Sequence, residues 1–288
     1  MIWNLGSINI DNVYRVPHLP GPGETLAATD YSQGLGGKGA NMSIAAARAA
    51  ARVAHIGAVG QDGRWCVARL LEYGVDTPHI AELGGPTGHA NISVDEAGEN
   101  SIVLFPGANV AITNAMIGAA LTEAMAGDFL LMQHETNGQS YAATTARVLG
   151  LRICYAAAPF DADAVATLLD KIDLMVLNEV EAAQLEKATG QDLGALGVRD
   201  VVVTLGAAGC KWVSNKGTLA FDAYPANPID STGAGDTFTG YLLAGLDRGL
   251  SMQASIDLAL KAGALMVSRL GTGDVIPDLK EIQDHFGS

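Results

Sequence analysis

Asp236 closes the run Asp230-Ser231-Thr232-Gly233-Ala234-Gly235-Asp236, and an apolar stripe of Phe238, Tyr241, Leu242 and Leu246 follows it at helical spacing. The Gly-Ala-Gly turn carries no bulk, so its N–H groups can converge on an anion at the start of that helix, where the dipole helps. A carboxylate beside such a cradle suits phosphoryl transfer. Asp236 would orient an attacking hydroxyl and accept its proton, while the amides of Gly233, Ala234 and Gly235 stabilise charge on the moving group. The same run also fits an ordinary helix start with aspartate as a favourable first-turn charge.

Four more segments have residue types that bind polar ligands. Gly34-Leu35-Gly36-Gly37-Lys38-Gly39-Ala40-Asn41 formally matches G-x-G-x-x-G, but a dinucleotide fingerprint should follow the first strand, which ends near Leu5. It is not a Walker A loop, because Gly39 follows Lys38. Its glycines would let the backbone approach a polar ligand, with Lys38 and Asn41 hydrogen-bonding hydroxyls; a tight turn before a helix is the plain alternative. Asn9 and Asp11 could read a vicinal diol, since aspartate accepts two hydroxyl donors at once, yet both are common turn residues. Asn178 with Glu181 three residues on could hold Mg²⁺ near nucleotide phosphates, or simply form a capping box. Thr204 to Gly209 is a strand end and glycine turn that could cradle a nucleotide or merely turn a hairpin.

These segments need a scaffold that gathers them. Strands are predicted at Ile2–Leu5, 53–59, 129–133, 152–156, 174–177 and 201–205, and helices at 40–51 and 63–73. Such βα alternation predicts a parallel sheet with helices on both faces, and ligands then bind beyond the carboxyl ends of the strands. Residues 87–105 break the rhythm: His89, Asn91 and Ser93 alternate with Ala90, Ile92 and Val94, a β-hairpin pattern with one wetter face. With the Pro/Gly-rich segment before residue 33, this hairpin is expected to form a small lid.

Bulk properties remove other classes. The 288 residues are 49% hydrophobic and 17% charged, enough for a large core and far from a disordered composition. The net charge of -14 argues against nucleic acid and anionic membranes as partners. Cys66, Cys154 and Cys210 lack zinc spacing and read as small buried residues of a reducing cytoplasm. Neither a signal peptide nor a transmembrane helix is expected. The six histidines show no metal-ligand pair; only His89, on the expected lid, draws notice.

Taken together and in order, GSINID (6–11), GPGET (21–25), GGKGAN (36–41), GEN (98–100), GAN (107–109), Asn178–Glu181, Thr204–Gly209 and DSTGAGD (230–236) resemble the PfkB carbohydrate kinase family, and within it the ribokinases. The resemblance implies an α/β, ribokinase-like three-layer αβα fold over residues 1–288. It also implies a mostly parallel central sheet and a small β-sheet lid from about residues 12–33 and 87–107, through which a homodimer forms. It implies ATP and Mg²⁺, and transfer of the γ-phosphate to a primary hydroxyl of a small sugar, D-ribose giving ribose 5-phosphate. Asp236 then matches the base and Gly233, Ala234 and Gly235 the anion hole. Asn9, Asp11, Gly37, Lys38, Asn41 and Glu135 match sugar positions, and Asn178, Glu181, Thr204 and Gly206 nucleotide positions. Asp230, the Thr232 carbonyl and Gly271 match a monovalent-cation (K⁺) site. Val275 stands where a serine ligand is usual, and His89 and Asn91 replace apolar lid residues. Three rival readings are a PfkB kinase for another pentose, a ketohexose or a nucleoside; a catalytically silent sugar-binding protein on this fold; and an NAD-dependent oxidoreductase built on Gly34–Gly39.

Overall fold

The computed structural model describes residues 1–287. The chain begins with β1 (Ile2–Leu5), β2 (Asn9–Arg15), β3 (Asp30–Gly36), α1 (Lys38–Arg48) and β4 (Val53–Val59). Next come α2 (Arg64–Glu72), β5 (Ile80–Glu82) and the hairpin β6 (Gly88–Val94) and β7 (Asn100–Phe105). The βα rhythm resumes with α3 (Asn114–Leu121), β8 (Phe129–Met132), α4 (Gln139–Leu149), β9 (Arg152–Ala156), α5 (Ala162–Ala166), β10 (Leu174–Asn178), α6 (Glu179–Thr189) and β11 (Asp200–Thr204). An antiparallel pair, β12 (Cys210–Ser214) and β13 (Gly217–Phe221), precedes the closing helices α7 (Ala234–Asp247), α8 (Met252–Met266) and α9 (Leu279–Phe286).

Nine strands form the central sheet in the order β13-β12-β11-β10-β9-β8-β1-β4-β5. Pairing is parallel from β11 to β5. Alternate residues of its strands feed two separate cores, as a sheet covered on both faces requires. Ile2, Val53 and Phe129 pack with residues of α1, α2 and α7–α9 on one side, while Trp3, Ala54 and Leu130 pack with α3–α6 on the other. The predicted strands at 53–59 and 152–156 coincide with β4 and β9. The chain's direction of winding reverses at β1, whose neighbours are β4 and β8. That switch point is where an open sheet leaves a crevice.

A second sheet, β3-β2-β6-β7, stands apart from the first. Its strands reach beyond the segment 12–33 expected from sequence. β2 starts at Asn9, paired with Gly36 on one side and Gly88 on the other. Asn9 and Asp11 therefore lie on a strand of the small sheet, not in a turn after β1.

Two glycines control how closely the elements meet. A Cβ on Gly240 of α7 would lie 2.5 Å from Ala45 Cβ and 2.6 Å from the Met42 carbonyl of α1. Only glycine permits this approach, and it brings α1 and the start of α7 together. Gly39 plays the same part between α1 and β1, where a Cβ would lie 2.3 Å from Ser7 N. No helix among the described residues is long and apolar enough to cross a membrane.

Candidate active site

The first turns of α1 and α7 meet beyond the carboxyl ends of β1, β8, β9 and β10. Gly233 initiates α7 in the left-handed region, at φ 75°, which lets the chain swing from the 230–232 loop into the helix at no steric cost. Asp236 is then in the first helical turn and only 9% exposed. Asn41 Nδ2 donates to Asp236 Oδ2 at 2.9 Å. Burial pushes the Asp236 carboxyl above its ordinary range; the Lys38 charge and the Asn41 bond pull it down, and Glu135 and Glu181 push it further up.

Lys38 is half-buried at the head of α1. Burial alone would lower its pKa, yet the surrounding Asp236, Glu135, Glu181 and Asp11 raise it, so it stays an ammonium. Glu135, past the end of β8, accepts from Ser7 Oγ at 2.5 Å and from Lys38 N at 3.1 Å. Its carboxylate thus serves as an anionic cap on the first turn of α1. The Asp11 carboxyl is pushed up to about 7, first by burial, then by Glu135 and Asp236, against the pull of Lys38.

The glycines of GGKGAN admit other parts of the chain to close approach. A Cβ on Gly36 would lie 2.0 Å from the Asp11 carboxylate. One on Gly37, at φ +94°, would lie 2.9 Å from Asn9 N. The loop is filled by the β1–β2 junction, which leaves no room for the pyrophosphate of an NAD fingerprint. Asn9 is also more constrained than expected. Its Oδ1 accepts from Asn109 Nδ2 at 2.7 Å, and Asn109 Oδ1 accepts from Ile8 N. The Asn9 amide nitrogen has no such side-chain partner and is left to meet a ligand.

A cleft of about 230 Å³ opens from Asp236. Lys38, Gly233 and Gly235 line it with Asn178 and Thr204 from the ends of β10 and β11 and Glu181 from the first turn of α6. A Cβ on Gly235 would meet nothing within 4 Å, so its backbone faces open space. Asn178 and Glu181 do form the capping box, with Asn178 Oδ1 accepting from Glu181 N and Glu181 Oε2 from Asn178 N, both at 2.8 Å. Burial raises the Glu181 pKa, opposed by the Asn178 N–H and Lys38. Thr204 Oγ1 donates to the Leu177 carbonyl at 3.3 Å.

The remaining predicted residues lie off the lining of this cleft. Gly206 turns the β11–β12 connection at φ +57°. The 230–232 loop is tied to the C-terminal loop: Asp230 Oδ1 accepts from Thr232 N at 2.9 Å and Oδ2 from Gly271 N at 3.3 Å. Sequence reasoning missed Ser7 and gave Asn109 no role. Both sit in segments singled out for other residues: Ser7 follows the end of β1, and Asn109 lies in the turn after β7.

Known proteins resemble this chain in sequence and in fold. The pfkB family carbohydrate kinase model matches residues 1–279. A ribokinase of Haemophilus influenzae is 36% identical over 96% of this chain and 95% of its own. The Thermotoga maritima ribokinase structure superposes with a TM-score of 0.89 at 28% identity, covering 100% of this chain and 99% of that one. The Arabidopsis thaliana ribokinase complexed with ribose and ATP gives a TM-score of 0.86 at 26% identity, covering 98% and 97%. With both signature segments at one cleft and a family match over nearly its whole length, the chain belongs to the PfkB family of carbohydrate kinases.

Proposed function

We propose that this protein phosphorylates D-ribose on its primary hydroxyl with ATP as the phosphoryl donor. The observation that carries the reading is Asp236: a buried carboxylate held by Asn41 through one oxygen, beside an ammonium, at a helix start whose glycine backbone faces an open cleft. Relatives known as ribokinases, one of them complexed with ribose and ATP, support ribose and ATP as substrates here.

In this reading the sugar lies over Asp11, Lys38, Asn9 and Glu135, with Gly37 and Asn41 completing its floor. The ionised Asp11 carboxylate accepts two hydroxyls. The raised basicity of Asp236 suits it to accept the proton of the attacking hydroxyl. Lys38 and the amides of Gly233, Ala234 and Gly235 stabilise charge at the transferring phosphoryl. Thr204 and Gly206 flank the nucleotide. Glu181, with one carboxylate oxygen free, would hold hydrated Mg²⁺, and the Asn178 amide N–H groups would reach a phosphate oxygen; the ion would neutralise charge on the phosphates.

The implied K⁺ site fits less well. Both Asp230 oxygens accept N–H groups, and the Val275 methyls would lie 3.6 and 3.7 Å from a Cβ on Gly271, so apolar carbon stands where a further oxygen ligand would be needed. We therefore derive no step through a cation. The four-stranded sheet serves as a lid within one kinase domain spanning 1–288. Its exposed apolar strand, Ile102 to Phe105, supports a lid-to-lid homodimer. Three free, buried cysteines fit a reducing cytoplasm.

ADP release with Mg-ATP across free pentoses, ketohexoses and nucleosides tests the reading. Turnover highest on D-ribose is expected. Preference for another sugar would replace the substrate, and sugar binding without turnover on any of them would favour the silent binding protein.

A further inference from the structure

Four polar side chains occupy positions that the surrounding sequence would fill with apolar ones. Asn4 interrupts the strand Ile2–Leu5, His55 interrupts Val53–Val59, Ser43 faces them from α1, and Gln133 follows β8. All four are buried, and Asn4, Ser43 and His55 are 0% exposed. Gly57 makes room for the imidazole, since a Cβ there would lie 2.9 Å from the ring.

Their hydrogen bonds run in one direction. The Gly6 carbonyl can only accept, so His55 Nε2 carries the hydrogen and donates to it at 3.0 Å. His55 Nδ1 must then accept from Ser43 Oγ at 2.9 Å. Ser43 Oγ in turn accepts from Asn4 Nδ2 at 2.8 Å, and Asn4 Oδ1 accepts from Gln133 Nε2 at 2.9 Å. The other Asn4 N–H goes to the Gly39 carbonyl at 2.8 Å. Burial pushes His55 down to about 4, so the imidazole stays neutral and the direction of the chain does not change near neutral pH.

Every end of this chain abuts a residue of the proposed sugar side. Gly6 precedes Ser7, which donates to Glu135 and accepts from Gly39 N. Gly39 follows Lys38, whose N–H is held by Glu135. Gln133 lies two residues before Glu135. We propose that Asn4, Ser43, His55 and Gln133 are positioning residues: they hold Glu135 and the first turn of α1 in register and thereby set the affinity for sugar rather than for nucleotide. The bonds linking Gln133 Nε2, Asn4, Ser43 and His55 fix one arrangement, with Gln133 Oε1 alone left without a partner among the described residues, and breaking any of them leaves further costly unpaired groups. The sugar claim rests on the reading under Proposed function.

Ser43→Ala tests it with little change of volume. Sugar KM should rise about tenfold or more, as small misplacements near reacting groups cost that much, while ATP KM at saturating sugar changes less than about twofold. His55→Gln, which keeps a donor for the Gly6 carbonyl, should lie closer to the wild type than His55→Leu. The double variant Ser43→Ala/His55→Leu removes both partners of one bond but leaves Asn4 Nδ2 without its acceptor, so it should keep the raised sugar KM. Amide exchange gives a readout that needs no substrate: in Ser43→Ala the segment 37–42 should exchange about tenfold faster, while 174–189 stays unchanged. Unaltered exchange there in a folded variant would overturn the positioning role. Faster exchange with an unaltered sugar KM would overturn its role in the reaction. Failure of the wild type to turn over any sugar would overturn the substrate reading instead, and the exchange result would still decide the network.

Discussion

Asp11, Glu135 and Asp236 are three carboxylates gathered near one ammonium, Lys38, and burial, with their mutual repulsion behind it, raises the pKa of Asp11 and Asp236. Asp11 moves from its ordinary 3.8 to about 7, chiefly through burial. The folded state therefore holds this proton more tightly than the unfolded chain. Its contribution to stability is full below about pH 4, falls as pH rises towards 7, and is lost above that. Ligand binding has the opposite sign, because only the ionised carboxylate accepts hydroxyl donors from a sugar. Ribose affinity, measured calorimetrically on the free enzyme, should rise with pH by up to about tenfold per unit below 7 and then level off. Asp11→Asn should bind more weakly with a flat profile; a wild-type profile equally flat would contradict the assignment. These residues were legible in the sequence because carboxylates and amides at strand ends are few in a chain with 17% charged residues. What each one touches was not. Asn9 is tied to Asn109, one hundred residues away, and no local spacing shows that.

The elements meet the site through loops whose stiffness comes from outside them. The 271–276 loop is held by three arginines. Arg48 donates to the Ile276 carbonyl, Arg269 Nη1 to the Val275 carbonyl at 2.9 Å, and Arg69 Nη2 to Asp274 Oδ1 at 2.8 Å. Tyr73 also donates to Asp274, and Thr272 Oγ1 reaches the Leu35 carbonyl at 3.1 Å. Protein groups thus fix the loop beside the start of α7. Initial rates in K⁺ and in Na⁺ should agree within about twofold, since an anion hole whose flanking loop is already held by protein hydrogen bonds needs no ion to order it. Activation by K⁺ of tenfold or more would show that carbonyls alone complete the cation shell. At this scale strand and helix positions were readable from the βα rhythm, as β4 and β9 show. The reach of β2 and β3 was hidden. Gly34 and Gly36 read as loop residues, and only pairing with Asp11 and Asn9 makes them strand.

Across the whole molecule, two cores on a nine-stranded sheet provide the rigid floor, and the small sheet leaves an apolar strand uncovered. Ile102, Val103, Leu104 and Phe105 are each 47–65% exposed. A surface of this kind on an edge strand invites a second copy. Sedimentation should give twice the 29.7 kDa chain mass, and Ile102→Glu should shift the protein to monomer; a monomeric wild type would refute the lid-to-lid dimer. The global fold was recoverable from sequence because signature segments spaced over 200 residues all had to fall at one sheet edge. The directional chain from Gln133 to Gly6 was not, since its members are scattered and each looks like an isolated polar residue in an apolar run. The central claim is that Asp236 accepts the proton of the sugar hydroxyl. Single-turnover ADP formation with ribose by Asp236→Asn, alongside calorimetric ribose binding, tests it most directly. Turnover should drop by about 10²–10⁴ with ribose affinity kept within a few-fold. Near-normal turnover in the variant would contradict the account.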